Sequence, residues 1–254
     1  VNLLMMSLFL LLVGIIAGVV STVGGLASLV SYPALLVLGL PPVTANVTNT
    51  AGLIFTGVGS ALASHRELKG HTRDLCMLLP LTIIGCIIGA LLLFAIPEAT
   101  FQKVVPFFIL AAGILVLVPR HIQVNTTSKI SKVTLKTVGA WIGVLLVGIY
   151  SGYFGAAGGV LMLSMLSVIS NAPFAEYNAQ KNLALGAANC VSTIVYLLQT
   201  KIHWVLILPL GVGFLIGGLI GPQIVRWIPD YLIKLVIGIA ALGLALSLFI
   251  HAYF

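Results

Sequence analysis

Two short polar clusters interrupt an otherwise apolar chain. Asn46, Thr48 and Asn49 follow the turn Gly39-Leu40-Pro41-Pro42. Asn178, Lys181 and Asn182 follow Asn171-Ala172-Pro173, with Glu176 between the proline and the cluster. A proline turn before an apolar run marks a helix start. The first four backbone N–H groups of a helix lack partners within it, and its N-terminus carries about half a positive charge. Neutral Asn and Thr donors beside two such ends, with one lysine, form a set suited to holding an anion. A lysine inside a membrane span is costly enough to need a reason. Two bland roles stay open. Asn and Thr are good helix caps, and Lys181 is also placed to snorkel to an interface or to pair with Glu176.

Gly24 and Gly25, with Gly155, Gly158 and Gly159 in the second half, let backbone approach a ligand or a neighbouring helix closely. Tyr32, just after the first glycine pair, is expected to line the same cavity. Other chemistry is missing from the sequence. There is no Ser/His/Asp set, no phosphate loop and no metal-ligand spacing, so no enzyme, metal or cofactor is expected. Cys76, Cys86 and Cys190 read as small packing residues. The five histidines, including His71, fall at loops or span ends.

The elements that must position these residues follow from composition. The chain has 254 residues, 60% hydrophobic and only 7% charged. A soluble domain carries roughly 25% charged residues. Nucleic-acid binding, disorder and a disulfide scaffold are excluded on the same grounds. The solvent is a lipid bilayer. Apolar runs cover about 3–39, 43–63, 75–96, 103–118, 138–170, 182–200, 204–225 and 233–253. Leu3–Val20 lacks a basic leader and reads as the first membrane helix rather than a signal peptide. Runs 3–39 and 138–170 are too long for one helix and slightly short for two. Each reads as a hairpin broken at glycine, at Gly24-Gly25 and at Gly158-Gly159. The basic loops 64–74 and 119–137 lie two spans apart, hence on one side, read as cytoplasmic.

The halves resemble each other. Gly18–Gly25 (GVVSTVGG) matches Gly152–Gly159 (GYFGAAGG), Thr48-Asn49 matches Lys181-Asn182, and Pro97-Glu98 matches Pro229-Asp230. The expected fold is an all-α polytopic membrane protein of 8–10 spans, built from two homologous helical repeats in inverted orientation. Residues 1–119 form the first repeat, 120–137 a basic cytoplasmic linker and 138–254 the second repeat. Gly- and Ala-rich faces are compatible with a homodimer, and equally with packing inside one chain.

At this point the sequence resembles a known family. AGVVSTVGGLASLVSYPALLVLGLPPVTANVTNT, followed by RELKG, is similar to the TauE/SafE family of sulfite exporter-like permeases. GYFGAAGGVLML and YNAQKNLALGAANCVSTIVY resemble that family's second repeat. The resemblance spans nearly the whole chain. It implies a bacterial-type, multi-pass inner-membrane transporter whose substrates are sulfite, sulfoacetate or other small organosulfur or carboxylate anions. Its repeat motifs fall on Asn46, Thr48 and Asn49, and on Asn178, Lys181 and Asn182. Leu26 departs from the fuller glycine run often seen after the first hinge. The expected activity is export of an anion through a midplane site between the repeats. Two alternatives remain at this stage: an importer coupled to an ion through Glu176, and a membrane scaffold that transports nothing.

Overall fold

A computed structural model describes residues 3–117, 135–156, 158–170, 172–200, 202–224 and 230–253. Most of the basic linker, Asn171 and Pro229 lie outside these ranges. The described residues form ten helices and no strand: α1 Leu3–Gly24, α2 Ser28–Val37, α3 Pro42–Ala63, α4 Thr72–Ala95, α5 Glu98–Leu117, α6 Leu135–Tyr153, α7 Gly158–Ile169, α8 Phe174–Gln199, α9 Trp204–Ile224 and α10 Asp230–Tyr253. Four are long and apolar enough to cross a bilayer, namely α1, α4, α8 and, over Trp204–Gln223, α9.

Both long apolar runs resolve into a full helix, a break and a short helix. The first break falls at Gly25, whose φ of 71° is the left-handed conformation that favours glycine. The second falls earlier than the sequence suggests. Gly155 takes φ 75° and its N–H closes on the Tyr150 carbonyl, which ends α6. Gly158 and Gly159 then open α7 instead of forming the hinge. The proline turn before α8 does mark its start, with Pro173 at the cap and Phe174 in the first turn.

The distribution of polarity is that of a protein dissolved in lipid. Leu12, Ile16, Ile84, Ile142, Leu146 and Leu208 are exposed, whereas Ser31, Asn46, Thr48, Asn49, Gln180 and Lys181 are buried. Such an apolar exterior is unfavourable in water and stable in hydrocarbon. Helices there gain little from hydrophobic burial, so close contact between small residues holds them together. Gly14 and Gly18 of α1 meet Gly213 and Gly217 of α9, and Gly221 meets Thr22. The register advances in one sense, so α1 and α9 run parallel. Gly85 meets Gly148, and Cys86 and Gly89 meet Gly152 and Tyr153, so α4 and α6 also run parallel. α3 and α8 touch at Gly57 and Gly186. They run in opposite directions. The loop after α3 leads to His71, and His71 bonds Glu176 at the start of α8.

Candidate substrate site

The polar clusters do not cap their helices. Pro41 and Pro173 occupy the cap positions of α3 and α8, and neither helix has a side-chain cap. Proline supplies the right φ and has no N–H to leave unpaired. The Asn and Thr residues therefore fall one to two turns inside, facing other helices. Asn46 Nδ2 donates to the Tyr153 carbonyl at the end of α6, 3.1 Å away. Asn178 Nδ2 donates to the Thr22 carbonyl near the end of α1 at 3.0 Å, and Asn182 Nδ2 donates to the same oxygen at 3.4 Å. Carbonyls in the last turn of a helix lack intrahelical donors, so these amides supply them. Asn49 accepts from Ser31 Oγ at 2.5 Å and donates to Ser28 Oγ at 3.0 Å, fixing α2 to α3. Tyr32 is buried and packs edge-on against Phe154, with ring centroids 5.3 Å apart.

A central cavity of about 50 Å³ lies where the two glycine breaks meet α3 and α8. One water needs about 10–15 Å³ on this measure. Of the residues singled out in the sequence, Gly25, Gly155, Gly158, Gly159, Lys181 and Asn182 line it. Gly24, Tyr32, Asn46, Thr48, Asn49 and Asn178 do not; most of them hold the surrounding helices. Ser21, Thr50, Thr56, Ser60, Ser151 and Asn189 also line the cavity and were missed. Their signal was periodic. Thr50, Leu53, Gly57 and Ser60 recur every three or four residues on α3, and Lys181, Leu185 and Asn189 recur every four on α8.

Lys181 has no exposed surface. Its Nζ donates to the Ser21 carbonyl at 3.2 Å. Among the described residues no carboxylate lies within ion-pair distance of it, and the expected partner Glu176 is engaged by His71 instead. Two hydroxyls in the cavity wall, Thr56 Oγ1 and Ser151 Oγ, are buried with no hydrogen-bond partner among the described residues. Buried polar groups in folded proteins are nearly always paired, so unpaired ones need an explanation such as a ligand or water.

A second cavity, of about 350 Å³, lies at the end of the bundle where the 64–71 loop enters α4. His71, Asp74, Glu176, Trp141 and Gln180 line it. His71 Nε2 lies 2.7 Å from Glu176 Oε2, and Nδ1 lies 3.2 Å from Asp74 Oδ2. No sequence signal joins residues so far apart in the chain. Burial alone would lower the His71 pKa. Hydrogen bonds to Asp74 and Glu176, with their charges, outweigh it and raise it above the ordinary 6.5. A raised histidine pKa stabilises the fold fully below the unfolded value and loses that contribution as pH rises through the folded one. The thermal stability of the purified protein should therefore fall as pH rises above 6.5. The effect should be small, because the Asp74 and Glu176 side chains are 55% and 35% exposed. Glu176→Gln should flatten the slope. An unchanged slope in that variant would remove the pair as its cause.

An apolar helical bundle whose polar groups converge on a central cavity is a build that membrane transporters use. The comparisons agree. The chain belongs to the sulfite exporter TauE/SafE family, whose model matches residues 10–248. It is 27% identical to a "Probable membrane transporter protein" of Haemophilus influenzae, over 84% of this chain and 82% of that protein. It is 28% identical to "Probable membrane transporter protein ORF9" of a Sinorhizobium species, over 94% of this chain and 91% of that one. It is 21% identical to "Probable membrane transporter protein YfcA" of Escherichia coli, over 85% and 79%. No solved structure matches.

Proposed function

We propose that the protein is a multi-pass inner-membrane transporter that exports small anions, sulfite or organosulfonates among them, through the central cavity. The observation that carries this reading is Lys181, a fully buried lysine in the wall of a cavity with no carboxylate partner among the described residues. The neutral hydroxyls and amides around it suit a compact anion. The donors are side chains inside α3 and α8 rather than the free N–H groups of their ends.

The alternating-access frame in this proposal is an inverted repeat, α1–α5 against α6–α10. Several exchanges support it. α1 pairs with α9 as α6 pairs with α4, and α3 opposes α8. Asn46 clamps the end of α6 as Asn178 clamps the end of α1. Gly25 packs on its counterpart Gly159. The basic 64–74 loop puts the second cavity on the cytoplasmic side. A negative-inside potential then favours exit by about 2.3 kcal/mol per charge per 100 mV. For a dianion this is nearly 5 kcal/mol, about 3,000-fold at equilibrium.

The test is a thermal-shift screen of the purified protein against sulfite, sulfate, thiosulfate, sulfoacetate and short carboxylates. A ligand at 100 times its Kd should add about 2.7 kcal/mol of stability. If every anion leaves the transition unmoved, the anion reading fails and the chain is a scaffold or carries another class of solute.

A further inference from the structure

Among the described residues Lys181 is the one titratable side chain in the wall of the central cavity. α1, α3 and α7, which pack on α8, contain no titratable residue. Among the described side chains α4 brings Arg73, Asp74, Cys76 and Cys86, with His71 just before it; α6 brings Tyr150 and Tyr153; α8 itself adds Glu176, Tyr177, Cys190 and Tyr196. None of these lines the cavity. His71, Asp74 and Glu176 face the second cavity, which comes as close along α8 as Gln180, the neighbour of Lys181. Among the described residues the ammonium form of Lys181 thus has one carbonyl partner and no counter-charge. An ionised group cut off from water and from a counter-ion gives up its proton rather than stay charged.

From this we infer that one proton travels with each anion, carried on Lys181 Nζ. The inference rests on the anion-transport reading above and adds its coupling. With the anion bound, the occluded site holds R–NH3⁺ beside A⁻, and the anion is the missing counter-charge. When the site opens the anion leaves, and as the empty site closes again and sheds its water, Nζ passes its proton to that departing water. R–NH3⁺ becomes R–NH2 plus H⁺, and the lone pair stays on Nζ. The empty carrier then reorients with a neutral amine and picks up a proton with the next anion. A monoanion moves without net charge. A dianion carries one negative charge, so the membrane potential still drives its exit.

The experiment uses the full chain in proteoliposomes with a weakly buffered lumen and a trapped pH dye. Thiosulfate and sulfoacetate are the probes, because both stay ionised near neutral pH. With potassium and valinomycin clamping the membrane potential, entry of either should acidify the lumen by one proton per anion, and a protonophore added under that clamp should erase the signal. Lys181→Arg supplies a second arm, since a guanidinium does not release its proton. That variant should lose about a hundredfold more net flux than anion-for-anion exchange, because only its empty form must bury an unpaired charge. Anion entry without acidification, or net flux and exchange reduced alike in the arginine variant, would overturn the coupling and leave anion transport standing. If neither probe moves through nor stabilises the wild-type protein, the transport reading itself falls and takes the coupling with it.

Discussion

Lys181→Met is expected to abolish both anion-dependent stabilisation and anion flux, while the empty protein stays folded. Methionine keeps the length of the aliphatic stem and removes the charge. Losing one partner of a buried, hydrogen-bonded charge pair costs about 2–5 kcal/mol of binding. That range is a loss of roughly 30- to 4,000-fold in affinity. The empty state should respond in the opposite direction. Its amine is fully buried against one carbonyl and faces no carboxylate among the described residues. Removing it relieves a desolvated polar group, so the transition of the ligand-free variant should hold or rise. Only the freed Ser21 carbonyl counts against the substitution, by about 1–3 kcal/mol if water does not replace the donor. The two readouts separate function from folding. A variant that melts early and cannot be purified would make Lys181 a packing residue. A variant that still binds and moves thiosulfate as the wild type does would remove it from the site.

The helical build was legible because lipid imposes a strict rule on composition. Every backbone group must be satisfied within the segment, so uncharged apolar runs can only be helices. The polar exceptions were legible too, since Lys181 and Asn182 do line the cavity. For their neighbours the bland alternative, a capping role, fails for a local reason. Asn46 and Asn178 look like caps in a linear sequence, because a polar residue after proline usually is one. The backbone gave the cap position to proline itself, which moved both amides inward to clamp carbonyls more than 100 residues away. The glycine hinge of the second half was displaced for a similar reason. Of Gly155, Gly158 and Gly159, only the first takes a positive φ, and sequence does not say which member of a glycine group will turn. His71 with Glu176 lay beyond reach altogether. That pair depends on the start of α4 meeting the start of α8, a tertiary fact without periodicity.

Gly25→Ala is expected to be the most damaging of four alanine substitutions at or near the glycine breaks and turns, Gly24, Gly25, Gly39 and Gly159. Two independent penalties meet at Gly25. Its φ of 71° costs a residue with a Cβ about 1–2 kcal/mol. A methyl built there would also overlap the Cα and carbonyl carbon of Gly159. The obstacle is backbone, so no rotamer change relieves it, and overpacking of this kind costs about 1–3 kcal/mol. Together these approach the lower part of the 5–15 kcal/mol that a folded domain has to lose. The neighbouring glycines provide internal standards. Gly159→Ala meets the same overlap from a helical backbone and should lose only the packing part. Gly39→Ala has φ 87° but open space around it, so only the conformational part of about 1 kcal/mol remains. Gly24→Ala meets only the Leu26 side chain, at 3.2 Å, which can give way. Thermal unfolding of the four variants should therefore rank them Gly25, Gly159, Gly39, Gly24, from most to least destabilised. Transport should suffer in Gly159→Ala beyond its loss of stability, because the Gly25–Gly159 contact joins the two breaks that wall the cavity. If Gly25→Ala melts no lower than Gly39→Ala, the close approach of the two hairpins is not what holds the site together.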